Sequence, residues 1–130
     1  MARILIIDDE KPARDRLRRL LAEDSECEVI GEAGDGRAAL EACEALDPDV
    51  VLMDIRMPGM DGVEAARHLT QLDTPPAVIF TTAYSEYAMD AFEARAVGYL
   101  VKPVRRERLL DAVRHARRPT LAQLRSLGSD

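Results

Sequence analysis

Residues 48–59 of this 130-residue chain are Pro48-Asp49-Val50-Val51-Leu52-Met53-Asp54-Ile55-Arg56-Met57-Pro58-Gly59. An apolar run of four residues, half of them valine, is bounded by proline on both sides. Such a short run predicts a β-strand that is buried on both faces, as in a parallel sheet. Asp54 follows at the carboxyl end of this strand, where open parallel sheets bind their ligands. It is therefore the first candidate functional residue, although aspartate is also common in ordinary turns.

Four further apolar runs predict the other strands of the same sheet. They are residues 3–7, 28–33, 77–82 and 97–101. The run at 28–33 partly alternates apolar and polar residues and is therefore expected at the sheet edge. Between these runs, apolar residues at helical spacing predict helices. Pro12 is expected in the first turn of the first helix, and Asp35 is expected to cap the N-terminus of the second. Five strands that alternate with five helices predict an α/β fold, a doubly wound parallel sheet covered on both faces.

The fourth helix is predicted from aromatic and small residues at helical spacing, namely Tyr84, Tyr87, Ala88, Ala91 and Phe92. The other side carries the acidic residues Glu86, Asp90 and Glu93. The fifth helix is rich in arginine, so two neighbouring helices of opposite charge are expected.

The composition excludes some classes of function. The net charge of −6 and the pI near 5.0 argue against nonspecific binding of the whole chain to nucleic acid or a membrane surface. The sequence contains no apolar run of membrane-spanning length and no signal-peptide pattern, so a cytoplasmic location is expected. We predict one domain at residues 1–118, followed by a linker or tail at residues 119–130.

Polar residues stand at the carboxyl ends of four predicted strands: Asp8, Asp9, Asp54, Thr82 and Lys102. Each has an ordinary structural explanation as a cap, turn or solvent-exposed residue. Together they would bring three carboxylates to one sheet edge, where their repulsion requires a cation or bound protons. Ligands that are all oxygen suit Mg²⁺, and a carboxylate beside Mg²⁺ can attack phosphorus to form an acyl phosphate. A hydroxyl and an ammonium group would then bind the remaining phosphoryl oxygens.

The chain resembles response regulator receiver domains of bacterial two-component signalling. The matching motifs are Asp8-Asp9, Asp54 followed by Met57-Pro58 and Asp61-Gly62, Thr82-Ala83, and Tyr99 shortly before Lys102-Pro103. The resemblance covers residues 1–118. It implies a flavodoxin-like fold with the strand order 2-1-3-4-5.

The resemblance also implies roles for the residues at the strand ends. Asp54 would accept a phosphoryl group from a sensor histidine kinase. The Mg²⁺ ligands would be Asp9 and Asp54 directly, the backbone carbonyl of Arg56, and Asp8 through water. Thr82 and Lys102 would bind the phosphoryl oxygens, and the Lys102-Pro103 peptide bond would be cis.

A conformational switch follows from the same resemblance. Phosphorylation would pull Thr82 toward Asp54, and the ring of Tyr99 would turn into the space that this opens. Thr81 is an alternative for the hydroxyl role, but Ala83 places Thr82 in the register of the family. Arg56 and Tyr84 are expected to flank the phosphoryl group.

Residues 83–92 and 98–103 further resemble receivers of LytTR-type transcription regulators, the group that includes the regulator of alginate biosynthesis. This resemblance implies a DNA-binding output domain that these 130 residues do not contain. The acidic fourth helix and the basic fifth helix also suggest a homodimer through the face formed by helix 4, strand 5 and helix 5. Direct binding of nucleic acid by the arginines is less favoured, because no aromatic residues are interleaved with them.

Three alternatives are compatible with these sequence features. The chain could be a free-standing receiver, a Mg²⁺-dependent phosphatase that forms an aspartyl phosphate, or a nucleotide-binding module of flavodoxin type. Such phosphatases usually have a second aspartate where this chain has Arg56, and no Gly-rich loop follows the first strand. We therefore expect a switch and not a turnover enzyme, although it would catalyse its own phosphorylation and a slow autodephosphorylation.

Overall fold

The computed structural model describes residues 1–116, in which strands and helices alternate as predicted. The elements are β1 (Ala2–Ile7), α1 (Lys11–Leu21), β2 (Cys27–Ala33), α2 (Gly36–Leu46), β3 (Val50–Met53), α3 (Gly62–Leu69), β4 (Ala77–Thr82), α4 (Ala88–Glu93), β5 (Gly98–Val101) and α5 (Arg106–Ala116). The predicted linker or tail at residues 119–130 lies outside the described residues.

The five strands form one parallel sheet in the order β2-β1-β3-β4-β5, which confirms the predicted order. The partly alternating strand β2 lies at an edge, as its pattern predicted. All four residues of β3 are buried in the centre of the sheet. The register pairs Ile7 with Met53 and Met53 with Phe80, so β1, β3 and β4 reach the carboxyl edge almost together.

The sheet has a hydrophobic core on each face, as a doubly wound fold requires. Leu5, Ile7 and Met53 belong to the core under α2, α3 and α4, whereas Ile4 and Ile6 belong to the core under α1 and α5. Successive residues of a strand point to opposite faces, so each apolar strand supplies both cores. Among residues 1–116, no helix combines the length and apolar character that crossing a bilayer requires.

Two aspartates cap helices in this fold. Asp35, the predicted cap of α2, accepts a hydrogen bond from the Ala38 amide at 2.8 Å. Asp61 caps α3 in the same way through the Glu64 amide at 2.8 Å. A side-chain acceptor of this kind satisfies one of the free amide donors in the first turn of a helix. The cap at Asp61 thereby fixes the end of the loop that begins at Asp54.

The predicted start of the fourth helix was wrong. The helix begins at Ala88, so Tyr84 and Tyr87 precede it. The reason is that side chains bind the backbone of Tyr84: its amide donates to the Thr82 hydroxyl, and its carbonyl accepts from the Tyr99 hydroxyl. Ala91 then remains as the buried contact of a six-residue helix.

The loop between β3 and α3 packs tightly against the backbone of Asp54. The Gly62 amide donates to the Ile55 carbonyl at 2.7 Å, which folds the loop back onto the end of β3. A Cβ atom at Gly62 would lie 2.0 Å from the Asp54 carbonyl oxygen, well inside van der Waals contact. Glycine is therefore required here by a close backbone approach.

We predict that Gly62→Ala destabilises the protein by about 3 kcal/mol or more, because the new methyl group must displace the Asp54 backbone. The matched control is Gly59→Ala in the same loop, where the φ of 75° is unfavourable for alanine but the space is open. This control should cost about 1 kcal/mol. Urea unfolding of both variants measures the difference, and equal stabilities would contradict the packing described for Gly62.

Candidate functional site

Backbone hydrogen bonds continue the sheet by one residue past the strand ends. They run from the Asp8 amide to the Ala33 carbonyl (3.1 Å), from the Asp54 amide to the Ile7 carbonyl (2.9 Å), and from the Lys102 amide to the Thr82 carbonyl (2.7 Å). The backbone at these residues is thus held in line with the sheet. The polar residues predicted at the strand ends share one edge, as expected for parallel strands.

Three carboxylates converge at this edge. Asp8, Asp9 and Asp54 each offer an oxygen, and these oxygens lie within 4.8 Å of one another. Asp8 is fully buried and Asp54 is only 8% exposed, whereas Asp9 is exposed to solvent. Carboxylate oxygens are suitable ligands for a hard divalent cation. Because Asp9 is exposed, the cluster is open to solvent on that side. The cluster could therefore bind a metal ion.

Lys102 joins two of these carboxylates. Its Nζ donates to Asp8 Oδ2 at 2.7 Å and to Asp54 Oδ2 at 3.3 Å. Burial alone would lower the pKa of Lys102, but the hydrogen bond to Asp8 and the charges of Asp54 and Asp8 raise it overall. The lysine therefore remains a cation throughout the physiological pH range.

Asp54 lies in a less favourable environment for a charge. Burial and the neighbouring charge of Asp8 raise its pKa, and the ammonium of Lys102 and the Ile55 amide oppose this rise without cancelling it. The Ile55 amide donates to Asp54 Oδ1 at 2.7 Å. The two oxygens of Asp54 therefore differ, because Oδ1 contacts the backbone and Oδ2 contacts Lys102.

Arg14 supports the acidic turn, a role that the sequence analysis did not predict. Its Nη1 donates to the Asp8 carbonyl at 2.6 Å, while its Nε donates to Glu32 at 2.9 Å. Asp8 Oδ1 also accepts the Glu10 amide at 2.9 Å. The turn after β1 is thus fixed from the helix side and from the end of β2. A hint in the sequence is that Arg14 lies about one helical turn after the acidic run.

The two threonines at the end of β4 have different surroundings. Both are fully buried, and the Thr82 hydroxyl accepts a hydrogen bond from the Tyr84 amide at 3.3 Å. Thr81 instead lines a cavity beside α1, and its hydroxyl has no hydrogen-bond partner within residues 1–116. Neighbouring residues of a strand point to opposite faces, so only one threonine can face the loop with Tyr84. This arrangement supports Thr82 over Thr81.

An aromatic group borders the site. The Tyr99 hydroxyl donates to the Tyr84 carbonyl and accepts from the Tyr87 amide, which lies 3.3 Å away. The guanidinium of Arg56 stacks over the Tyr84 ring, 4.6 Å from its centroid, as a cation–π contact. Arg56 and Tyr84 also line an open cavity of about 490 Å³. The backbone carbonyl of Arg56 as a metal ligand stays a prediction.

The peptide bond between Lys102 and Pro103 is cis, as the resemblance implied. It lies directly after β5, at the residue whose amide bonds to the end of β4. Lys102 is thus attached to the sheet through its backbone and to the carboxylates through its side chain.

We predict that Asp54→Asn raises the melting temperature at pH 7 without divalent metal, by roughly 3 °C. A carboxyl group whose pKa is raised on folding costs stability once the pH exceeds that pKa. The difference should disappear below about pH 4, where the carboxyl group is protonated in both states. Asp73→Asn, at an exposed position, is the control with the same charge change. A lower melting temperature for Asp54→Asn at pH 7 would mean that the ion pair with Lys102 outweighs the cost of burial.

Known proteins are similar to this chain in sequence and in fold. The family model described as response regulator receiver domain matches residues 4–114. The chain is 50% identical over 125 residues to the positive alginate biosynthesis regulatory protein of Pseudomonas aeruginosa, covering 95% of the chain and 50% of that protein. It is 39% identical over 124 residues to the sensory transduction protein LytT of Bacillus cereus, with 95% and 50% covered. The chain thus spans about half the length of these relatives.

A solved structure agrees with this assignment. The response regulatory domain of protein mrkE from Klebsiella pneumoniae matches with a TM-score of 0.79 and 27% identity, covering 98% of this chain and 99% of that one. The relatives confirm the resemblance to LytTR-type regulators. The chain therefore belongs to the response regulator receiver domain family.

Proposed function

We propose that this chain is a phosphorylation-controlled signalling switch that accepts a phosphoryl group on Asp54 from a sensor histidine kinase, with Mg²⁺ as cofactor. The observation that carries the proposal is the convergence of three carboxylates within 4.8 Å, two of them bound to one lysine. Membership of the receiver family supports the same function. The cation and the acidic cluster are the parts that transfer of a charged phosphoryl group requires.

In the proposed reaction, an oxygen of Asp54 attacks the phosphorus of a phosphohistidine. The new oxygen–phosphorus bond replaces the nitrogen–phosphorus bond, and the histidine leaves with the electron pair. Oδ2 is the better candidate nucleophile, because its contact with Lys102 is longer (3.3 Å) than the hydrogen bond that Oδ1 accepts from the Ile55 amide (2.7 Å). Mg²⁺ held directly by Asp9, Asp54 and the Arg56 carbonyl, and by Asp8 through water, would offset the charge of the phosphoryl oxygens.

Two further residues are proposed to bind the phosphoryl oxygens. Lys102 lies next to Asp54 Oδ2 and would follow the new negative charge. The Thr82 hydroxyl accepts from the Tyr84 amide, so its own proton remains for donation to a phosphoryl oxygen. These are charge-assisted hydrogen bonds, the stronger class of such contacts.

The same contacts suggest how the switch works. Movement of Thr82 toward Asp54 would release the Tyr84 amide, and the carbonyl of Tyr84 is the acceptor for the Tyr99 hydroxyl. Tyr99 and its surroundings on β5 and α4 would therefore respond to phosphorylation. A single phosphoryl group per chain would thus change the surface around Tyr99. This is how a switch behaves, whereas an enzyme would turn over many substrate molecules.

The proposed output is control of a DNA-binding domain of the LytTR type, which these 130 residues do not contain. The match to about half of each longer relative supports this arrangement. We also propose the cytoplasm as the compartment, because the kinase that supplies the phosphoryl group needs ATP. Residues 1–118 are proposed as the receiver.

We predict a single Mg²⁺-dependent phosphoryl adduct on incubation with acetyl phosphate, measured by intact mass. Asp54→Ala should abolish the adduct, because the nucleophile is lost, whereas Asp73→Ala should leave it unchanged. Labelling should stop at one group per chain without continuous hydrolysis of the donor. Rapid turnover of a general phosphate ester would support the phosphatase alternative instead.

We further propose a homodimer through α4, β5 and α5. Exposed large apolar residues occur on α4 (Met89, Phe92), directly before β5 (Val97) and at the end of β5 (Val101), with 45% to 78% of each exposed. Glu86 and Glu93 add exposed negative charge, and Arg105 and Arg108 add exposed positive charge. Within residues 1–116, neither of these two arginines forms an ion pair, whereas Arg106 and Arg114 do.

A two-fold axis would bring each acidic α4 face to the partner's basic residues. Mixed charges around an apolar centre are typical of specific interfaces. Arg106 and Arg114 bond to Glu23 and Asp24 of the same chain, so Arg105 and Arg108 are the arginines available to a partner.

We predict that the phosphorylated protein sediments as a dimer at tens of micromolar. Glu93→Arg and Arg108→Glu should each weaken the dimer about tenfold through like-charge repulsion, and the double variant should recover most of the loss. Arg67→Glu, an exposed charge reversal on α3, is the control. A monomer under phosphorylating conditions, or no recovery in the double variant, would contradict this interface.

A further inference from the structure

A cavity of about 330 Å³ lies beside α1, and none of the three carboxylates lines it. Its wall is mostly apolar: Ala13 and Leu17 contribute from α1, and Pro103 and Val104 contribute from the loop after β5. Leu17 and Val104 are 3% and 4% exposed and belong to the core under α1 and α5. Because protein cores are normally close-packed, a space of this size beside core residues leaves room for a small molecule.

A buried hydroxyl group in this cavity has no hydrogen-bond partner. Among the buried side-chain nitrogen and oxygen atoms of residues 1–116, Thr81 Oγ1 is the only one without a partner. Thr81 lines the cavity and is fully buried. Leaving a buried polar group unpaired costs free energy. A molecule that brings a hydrogen-bonding group into the cavity would recover this cost.

The other polar side chains of the cavity wall already have partners. The guanidinium of Arg16 donates to the Val104 carbonyl, and the ammonium of Lys102 donates to two carboxylates. An ordered water in a buried site normally makes about three hydrogen bonds, which a mostly apolar wall does not supply. The wall therefore suits a mainly apolar molecule with one polar group better than it suits water.

Two hydrogen bonds hold the walls of the cavity in place. Arg16 Nη2 donates to the Val104 carbonyl at 2.8 Å, which connects α1 to the loop after β5. The Lys102 amide donates to the Thr82 carbonyl at 2.7 Å, which connects the start of the same loop to β4. The cavity is thus formed before a ligand enters, and a preformed site loses little conformational entropy on binding.

We infer that this cavity is a binding site for a small, mainly apolar molecule that carries one hydroxyl or carbonyl group, which pairs with Thr81. Small-molecule sites combine an apolar wall with a few polar groups that orient the ligand, and their volumes are roughly 300–1,000 Å³. Binding at this site requires neither a metal ion nor phosphorylation of Asp54, so it is separate from the proposed function.

The test uses phenol and toluene, two probes of similar size that differ by one hydroxyl group. NMR shifts of the backbone amides of the full chain measure both affinities and locate the site. Both probes should shift the amides of Leu17, Thr81 and Val104 in a saturable manner. Thr81→Val should lower the affinity for phenol about fivefold relative to that for toluene, which is the effect of one hydrogen bond. Valine has nearly the same shape and favours strands, so this variant should fold.

Thr74→Val is the matched control, because Thr74 is exposed and does not line the cavity. It should leave the ratio of the two affinities unchanged. Ala13→Leu is a second variant that tests the location independently, since the larger side chain takes up part of the cavity. It should weaken the binding of both probes. Thermal unfolding checks that each variant folds.

Three results would overturn the site. The first is the absence of saturable shifts with both probes, and the second is shifts confined to amides away from the cavity. The third is an unchanged ratio of phenol to toluene affinity in Thr81→Val, which would mean that the Thr81 hydroxyl does not bind the ligand.

Discussion

Repulsion among Asp8, Asp9 and Asp54 is the constraint on which the rest of this structure depends. The register of the parallel sheet brings these carboxylates within 4.8 Å of one another, and the neighbouring backbone amides and Lys102 offset only part of the charge. The pKa of Asp54 is raised first by its burial and then by the charge of Asp8. A buried charge that is costly for folding is a common property of functional sites. In the proposed function, an added cation or phosphoryl group would change this cost.

The site connects to the surface through few contacts. Thr82, at the end of β4, bonds to the Tyr84 amide, and the Tyr84 carbonyl bonds to Tyr99 on β5. This chain of contacts lies between the carboxylates and the face that exposes Phe92 and Val101. A change at the strand ends therefore has a short physical path to an exposed apolar surface. On one side of these contacts lie the strands of the sheet, and on the other lies α4, which has only six residues. We therefore expect α4 to rearrange more easily than the strands.

The sequence predicted the strands and the shared edge well, because short apolar runs and the geometry of parallel sheets leave few alternatives. The strand order came from the family resemblance and was confirmed. The late start of α4 was not predicted, since the hydrogen bonds that hold Tyr84 out of the helix come from Thr82 and Tyr99. The support of Asp8 by Arg14 was missed too, because no local pattern shows where the Arg14 side chain points; Arg14 also bonds to Glu32, which is distant in the sequence. Contacts between distant side chains are not visible in local patterns.

The central claim is that the sheet edge directs phosphorylation to Asp54 and not to its acidic neighbours. Reduction of the phosphorylated protein with borohydride converts an acyl phosphate to an alcohol, which marks the modified aspartate as homoserine. Peptide mass analysis then identifies its position. The account predicts homoserine at residue 54 alone. Homoserine at residue 8 or 9, or none after stoichiometric phosphorylation, would contradict it.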